Sequence, residues 1–218
     1  MGNITDKYVE KYIREVLPEQ KGIFKEMEEY AEEFKVPIVH KEVAALLQVL
    51  AKSINAKRVL EVGTAIAYST LLLCDAMKLN GGHITTIERN DSMVLEAKKN
   101  ILKSGMEDRV RLIQGDAQDV LKFLDNEYDL IFLDGAKGQY NEFLNDCLHL
   151  LKPGGLLISD NILFKGMIAT DMYAIRRKRT ITNRMRAYLE TICNHSELDT
   201  SIIPIGDGLA ISYKSRRI

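Results

Sequence analysis

The chain has 218 residues, 46% apolar and 28% charged, and its 30 Lys+Arg are balanced by 31 Asp+Glu. It is long enough to bury a real core in one α/β domain or two small ones, and its composition excludes a disordered or fibrous protein. No apolar run approaches the roughly 18 residues that a membrane span needs.

The N-terminal stretch MGNITDKYVEKYIREVL is charged within six residues and has no apolar signal core. Gly2 opens only a weak match to the myristoylation pattern, because Asp6 stands where Ser or Thr is wanted. In DKYVEKYIREVL the apolar residues Val9, Tyr12, Ile13, Val16 and Leu17 recur at helical spacing. Pro18 is expected to start a second, strongly charged helix, PEQKGIFKEMEEYAEEFK, ending before Pro37. A third, KEVAALLQVLAKSI, carries Val43, Leu46, Leu47 and Leu50 on one face. Residues 1–55 therefore read as a helical flank or lid on an α/β core of residues 56–218, the whole forming one domain.

From residue 58 the pattern alternates. RVLEV, HITTIE, VRLIQG, YDLIFLD and PGGLLISD read as strands, and YSTLLLCDAM, SMVLEAKKNILKSG, AQDVLKFL and QYNEFLNDCLHLL as the helices between them, Gly105 stopping the second. Such alternation implies a parallel sheet covered on both faces, a Rossmann-like α/β fold. A long helix around AIRRKRTITNRMRAYLETICNH follows, and DTSIIPIGDGLAISYK closes the chain as a hairpin about its GDG turn. Cys74, Cys147 and Cys193 are odd in number and lack a CxxC partner, so buried free thiols in a reducing cytoplasm are expected.

In an open α/β sheet the ligand lies at the carboxyl ends of the strands. The first strand ends LEVGTAIAYST, where a dinucleotide fingerprint would need three glycines; only Gly63 is present, and Ala65 and Tyr68 occupy the other two places. The loop suits a ligand without a pyrophosphate. Glu88 ends the second strand, where a carboxylate can accept both ribose hydroxyls, and Asp116 ends the third within reach of an adenine. Ribose and adenine contacts without a phosphate loop point to S-adenosylmethionine, and Glu61 is expected on the ligand side of the crevice, holding the amino-acid end of that cofactor. Asp134, Asp160 and Asn161 fall on neighbouring strand tips; two carboxylates and a carboxamide are hard oxygen ligands suited to Mg²⁺ or another octahedral divalent cation.

Taken in order and spacing, LEVGTAIAYST, IE, GDA, FLDGAKGQY, PGG and SDN resemble the metal-dependent class I O-methyltransferases, the family of the catechol and caffeoyl-CoA enzymes. The resemblance implies a seven-stranded sheet with only the last strand antiparallel, and a homodimer. By position it makes Asp134, Asp160 and Asn161 metal ligands and Glu88, Asp116, Ala117 and Ser69 cofactor contacts. Val39 becomes the N-terminal residue that closes over the cofactor, and Lys137 the lysine that acts on the substrate hydroxyl. Asp134 then serves the cofactor and the reaction as well as the metal.

The acceptor turns on the segment IRRKRTITNRMR. Between Lys165 and Arg186 lie seven cations (Lys165, Arg176, Arg177, Lys178, Arg179, Arg184 and Arg186) and one anion, Asp171. A solvated helix face is the plain reading of such a run. Its position after Asn161 and its lack of acidic partners instead suggest a surface for phosphates, with Lys165, Arg176, Arg177, Lys178 and Arg179 binding RNA. NILFKG and this run resemble the bacterial tRNA 5-hydroxyuridine methyltransferases, which implies a tRNA anticodon loop as partner and 5-methoxyuridine as product. The alternative is a small catechol-like or phenolic acceptor, although Ala210 stands where the catechol enzymes carry an acidic substrate contact. A nicotinamide oxidoreductase is disfavoured by the missing glycines, and a non-catalytic module by the intact Asp/Asp/Asn and Lys set.

Overall fold

The computed structural model describes residues 4–170 and 176–215. Three helices lead: α1 (Lys7–Val16), α2 (Ile23–Phe34) and α3 (Lys41–Ser53). Then come β1 (Arg58–Val62), α4 (Tyr68–Ala76), β2 (His83–Glu88), α5 (Asp91–Ser104), β3 (Val110–Gln114) and the single turn α6 (Ala117–Val120). The chain continues through β4 (Tyr128–Leu133), α7 (Tyr140–Leu150), β5 (Leu151–Asp160), α8 (Arg179–Cys193), β6 (Leu198–Ile203) and β7 (Leu209–Lys214). The strand order is β3-β2-β1-β4-β5-β7-β6. β1 to β5 pair in parallel, while β7 runs antiparallel to both β5 and β6. This is the expected Rossmann-like sheet.

The strands β1, β4 and β5 are buried along nearly their whole length, which is why they read as unbroken apolar runs. One core layer packs Val43 and Leu47 of α3 and Leu71 of α4 on Val59 and Phe132; the other packs Phe143 of α7 and Tyr188 of α8 on Leu60 and Ile131. The strand order reverses at β1 and β4, so their carboxyl ends flank the crevice where ligands bind in this architecture.

Several local expectations are corrected. Pro18 does not begin α2. The chain runs irregularly to Gly22, whose φ of 57° turns it before the helix starts at Ile23. The fifth strand starts at Leu151, ahead of the PGG turn. AQDVLKFL makes only one α-helical turn, followed by a 3-10 turn at Leu121–Phe123. Cys74 and Cys147 are buried free thiols, but Cys193, the last residue of α8, is exposed. The basic helix starts at Arg179 after a 3-10 turn at Arg176–Lys178. Gly2, Asp171 and the opening residues of that expected helix, Ala174 and Ile175, lie outside the described residues.

No residue of α1 is buried: Val9, Tyr12 and Val16 face solvent. Polar contacts hold the helix instead. The Arg14 guanidinium donates to both oxygens of Glu42, Nε to Oε2 at 2.8 Å and Nη2 to Oε1 at 2.6 Å. Lys41 Nζ donates to the Arg14 carbonyl at 2.9 Å, and the Thr5 hydroxyl to the Pro204 carbonyl at 2.9 Å.

Candidate active site

The carboxyl ends of β1, β2, β4 and β5 open into a cleft of about 760 Å³, roofed by Ile4, by Glu10 and Arg14 of α1 and by the segment before α3. Of the residues singled out from sequence, Val39, Gly63, Glu88, Asp134, Lys137, Asp160, Asn161 and Lys165 line it. Asp116 and Ala117 line a small extension that shares Gly63, Glu88 and Gly135 with the main cleft. The volume falls within the range of small-molecule and cofactor sites.

The loop after β1 is shaped by crowding. Gly63 has φ +102°, and a Cβ there would meet the Gly135 nitrogen at 2.8 Å. Ala65 and Ala67 also adopt positive φ. The Ala65 N–H donates to Glu88 Oε2 at 2.9 Å, and the other oxygen of Glu88 accepts from the N–H groups of Arg89 and Asn90 at 2.9 and 2.8 Å. Glu88 thus ties the β1 loop to the β2 turn while facing the cleft. Asp116 caps α6 by accepting from Gln118 N–H at 3.0 Å and lies 3.6 Å from Arg89.

Glu61 and Ser69 lie behind the cleft wall rather than on it. Neither is among the residues that line the cleft. Side chains alternate along a strand, and Glu61 points inward, where it is wholly enclosed beneath the loop. Its Oε2 accepts from the hydroxyls of Thr70 and of Thr86, the latter at 2.7 Å. Burial pushes the Glu61 carboxyl up, against the lowering effect of those hydroxyls. Its Oε1 has no hydrogen-bond partner among the described residues.

Asp134 and Asp160 end β4 and β5 on the cleft floor. Burial is the main cause that raises the Asp134 carboxyl well above its usual range, reinforced by Asp160 and Glu61 and opposed by Lys137. Asp160 is pushed up to about 6, chiefly by burial, with the Asn161 N–H and Lys137 opposing. Asn161 has φ 57°, a conformation that asparagine tolerates better than most residues. Among the described residues no three His, Cys, Asp or Glu side chains gather as a metal cluster; the donor set here is two carboxylates and one carboxamide.

Sequence reasoning missed four residues. Tyr140 is fully buried, and its hydroxyl contacts the Leu133 carbonyl at 2.9 Å and the Asp160 carbonyl at 3.2 Å, bracing two strand tips. Its place in FLDGAKGQY was the available signal. Arg14, His40 and Asp207 line the cleft from α1, the α3 cap and the β6–β7 turn. No local pattern marks them, because only the tertiary fold brings those segments over the strand ends.

The basic run is partly absorbed by the fold, with Glu142 as an acidic partner among the described residues. Arg184 donates to the Gly138 carbonyl at 3.1 Å and lies 3.7 Å from Glu142, and Arg186 donates to the Ile168 carbonyl at 2.9 Å. Lys178 stands 5.1 Å over the Phe164 ring. Arg177 and Arg179 are exposed, and neither lines the cleft. Arg176 begins the 3-10 turn, and its side chain lies outside the described residues. Ala210 is buried in β7 opposite Ser159 and does not line the cleft.

Residues 15–215 match the family model described as O-methyltransferase. A caffeoyl-CoA O-methyltransferase of Populus kitakamiensis is 32% identical over 176 residues, 76% of this chain and 73% of that one. A catechol O-methyltransferase of Niastella koreensis is 36% identical over 126 residues, 56% of this chain and 57% of that one. Among solved structures, a Staphylococcus aureus protein described as a candidate caffeoyl-CoA O-methyltransferase superposes with a TM-score of 0.89 at 34% identity, covering 96% of this chain and all of its own. With the match running from α1 through β7 and the strand-end carboxylates gathered in one cleft, the chain belongs to the O-methyltransferase family.

Proposed function

We propose that this protein transfers the methyl group of S-adenosylmethionine to a hydroxyl of a small catechol-like or phenolic acceptor, with a divalent cation held by Asp134, Asp160 and Asn161. The observation that carries this reading is the convergence of Glu88, Asp134, Lys137, Asp160 and Asn161 on one cleft.

The residues fit both groups. Glu88 faces the cleft with about one carboxylate lone pair, on Oε2, that its three backbone donors leave open to a ribose hydroxyl. The enclosed, unpartnered Oε1 of Glu61 supplies acceptor capacity beneath the amino-acid end of the cofactor. Asp134 and Asp160 are buried like charges that Lys137 and, for Asp160, the Asn161 N–H compensate only in part, a deficit that a bound divalent cation would remove. When bound, the cofactor supplies an electrophilic methyl group and the cation acidifies and orients a coordinated hydroxyl.

The chain's own residues do the rest. Lys137, at the cleft wall, takes the proton of the acceptor hydroxyl in its neutral form, which a divalent cation bound beside it would favour by replacing it as the counter-charge. Val39 closes the cleft over the cofactor and excludes water. Tyr140 holds the β4 and β5 tips, and so fixes acceptor against donor. Asp207, three residues before Ala210 on the same hairpin, offers a carboxylate to a second acceptor hydroxyl.

A second reading, tRNA 5-hydroxyuridine as acceptor, rests on Lys165 in the cleft and the exposed Arg177 and Arg179 beyond it. The names of the relatives favour the small acceptor. Labelled S-adenosylmethionine and Mg²⁺ are supplied with a catechol and phenol panel or with tRNA carrying 5-hydroxyuridine. Methylation of a small phenol and not of tRNA is expected. The reverse outcome assigns the RNA reading, and label in neither acceptor removes both. Light scattering on the same preparation tests the homodimer, for which the exposed apolar residues of α1 offer a surface.

A further inference from the structure

The amino ends of the strands carry a second cavity, of about 300 Å³, whose lining includes the first residues of β1, β2, β3 and β4: Arg58, His83, Val110 and Tyr128. Arg58 pairs with His83 across the sheet, and Thr85 with Arg111. Paired residues in a parallel sheet share a face, as do residues two apart on one strand. Arg58, His83, Thr85 and Arg111 therefore project from one face. The β3–β4 crossover that should cover this face is reduced to a single helical turn and a 3-10 turn, and so leaves it open.

The side chains of Arg58, His83 and Arg111 have no hydrogen-bond or ion-pair partner among the described residues. Arg109 lines the same groove while giving one donor to the Cys74 carbonyl at 3.1 Å. Asp108 is the opposing charge in the lining, so three guanidiniums less one carboxylate leave a formal +2. Tyr128 supplies the independent observation. It lines the groove at 2% exposure, and its enclosed hydroxyl has no partner among the described residues. A buried hydroxyl without a partner costs stability, so such groups ordinarily serve water or a ligand.

We propose that this groove binds a phosphate monoester, its dianion held by Arg58 and Arg111 with a hydrogen bond from the Tyr128 hydroxyl. Guanidinium forks match phosphate oxygens in geometry and charge, and the cavity's volume suits a small phosphorylated ligand. The groove is at the opposite end of the sheet from the methyl-transfer cleft, so its occupancy is independent of the reaction proposed above.

The test uses the full chain in EDTA with the cleft saturated by S-adenosylhomocysteine, so that added phosphate meets neither metal nor cofactor site. Inorganic phosphate and uridine 5′-monophosphate are titrated at constant ionic strength, followed by melting temperature and calorimetry. Both ligands are expected to raise the Tm of the wild type. Arg58→Gln with Arg111→Gln should abolish the rise, and Tyr128→Phe should weaken binding about tenfold. Without ligand, Tyr128→Phe should leave Tm unchanged or raise it, since it removes an unpartnered hydroxyl. An equal rise in the double variant marks a general salt effect and overturns the proposal, as does the absence of heat at millimolar ligand. A ligand-free loss of Tm in Tyr128→Phe shows that the hydroxyl is already satisfied and overturns its role. Binding of a short single-stranded RNA without binding of either small ligand also overturns the proposal.

Discussion

Asp134 and Asp160 stand at the tips of neighbouring parallel strands, and the charge of Asp160 adds to the burial that raises the Asp134 carboxyl. Tyr140 fastens the two tips through the Leu133 and Asp160 carbonyls, so the carboxylates cannot simply move apart. A divalent cation is the economical partner for such a pair. Added Mg²⁺ or Mn²⁺ should therefore raise the Tm of the chelated protein, and Asp160→Ala should lose that rise along with turnover. Cofactor affinity in that variant should stay close to wild type by calorimetry. Full activity in excess EDTA would assign the pair a purely structural role.

The Arg14–Glu42 ion pair gives a pH-dependent hold on α1. Burial raises the Glu42 carboxyl, but the Arg14 bond, the local backbone bond and nearby positive charge outweigh it, leaving Glu42 below its usual value. A carboxylate depressed in the folded state adds stability above its unfolded pKa, about 4.3, and loses it as pH falls through the folded value. Glu42→Gln should thus cost about 1 kcal/mol at neutral pH, a modest figure because Arg14 is part-exposed. The difference from wild type should vanish in strong acid. Amide exchange in α1 should quicken in the variant at pH 7; unchanged exchange would mean that the Lys41 and Thr5 contacts suffice.

Glu88 has two jobs, and one substitution should reveal both. Its carboxylate accepts three backbone N–H groups as well as facing the cleft. Glu88→Ala should lose about 1–3 kcal/mol of stability from the orphaned donors. It should also weaken S-adenosylhomocysteine binding by roughly one to two decades. Loss of stability with unchanged cofactor affinity would confine Glu88 to the loop.

The strand ends were legible in the sequence because apolar runs terminate sharply in charged residues. Glu88, Asp134, Asp160 and Asn161 could be placed from that boundary alone. Glu61 could not, because its strand is covered on both faces and periodicity does not tell which side opens to the ligand. Tyr140 reads as one more apolar helix residue until its hydroxyl is seen between two carbonyls. Arg14 and Asp207 come from segments over 190 residues apart, so only the folded chain brings them to the same cleft. The basic run was legible as charge, but its division into tied and exposed cations depends on α8 packing against the Lys137–Gln139 turn.

Gly63 gives the sharpest steric test. The first-strand loop keeps one glycine where a dinucleotide site would keep three, and the structure gives that glycine a different reason. The chain after β1 crosses the chain after β4 so closely that a Cβ on Gly63 would lie 2.8 Å from the Gly135 nitrogen and 2.9 Å from the Asp134 carbonyl carbon. All the nearest atoms are backbone, so no rotamer change relieves the clash. The φ of +102° adds strain for any L side chain. Gly63→Ala should therefore displace Asp134, lowering stability by more than the ~1 kcal/mol of an ordinary Gly→Ala mismatch. It should impair both cofactor binding and the metal-dependent Tm rise. Gly105→Ala is the control, since Gly105 also has positive φ but open space around it. If the two variants lose equal stability and both keep cofactor affinity, the cost is conformational strain alone and the close approach of the two loops carries no function.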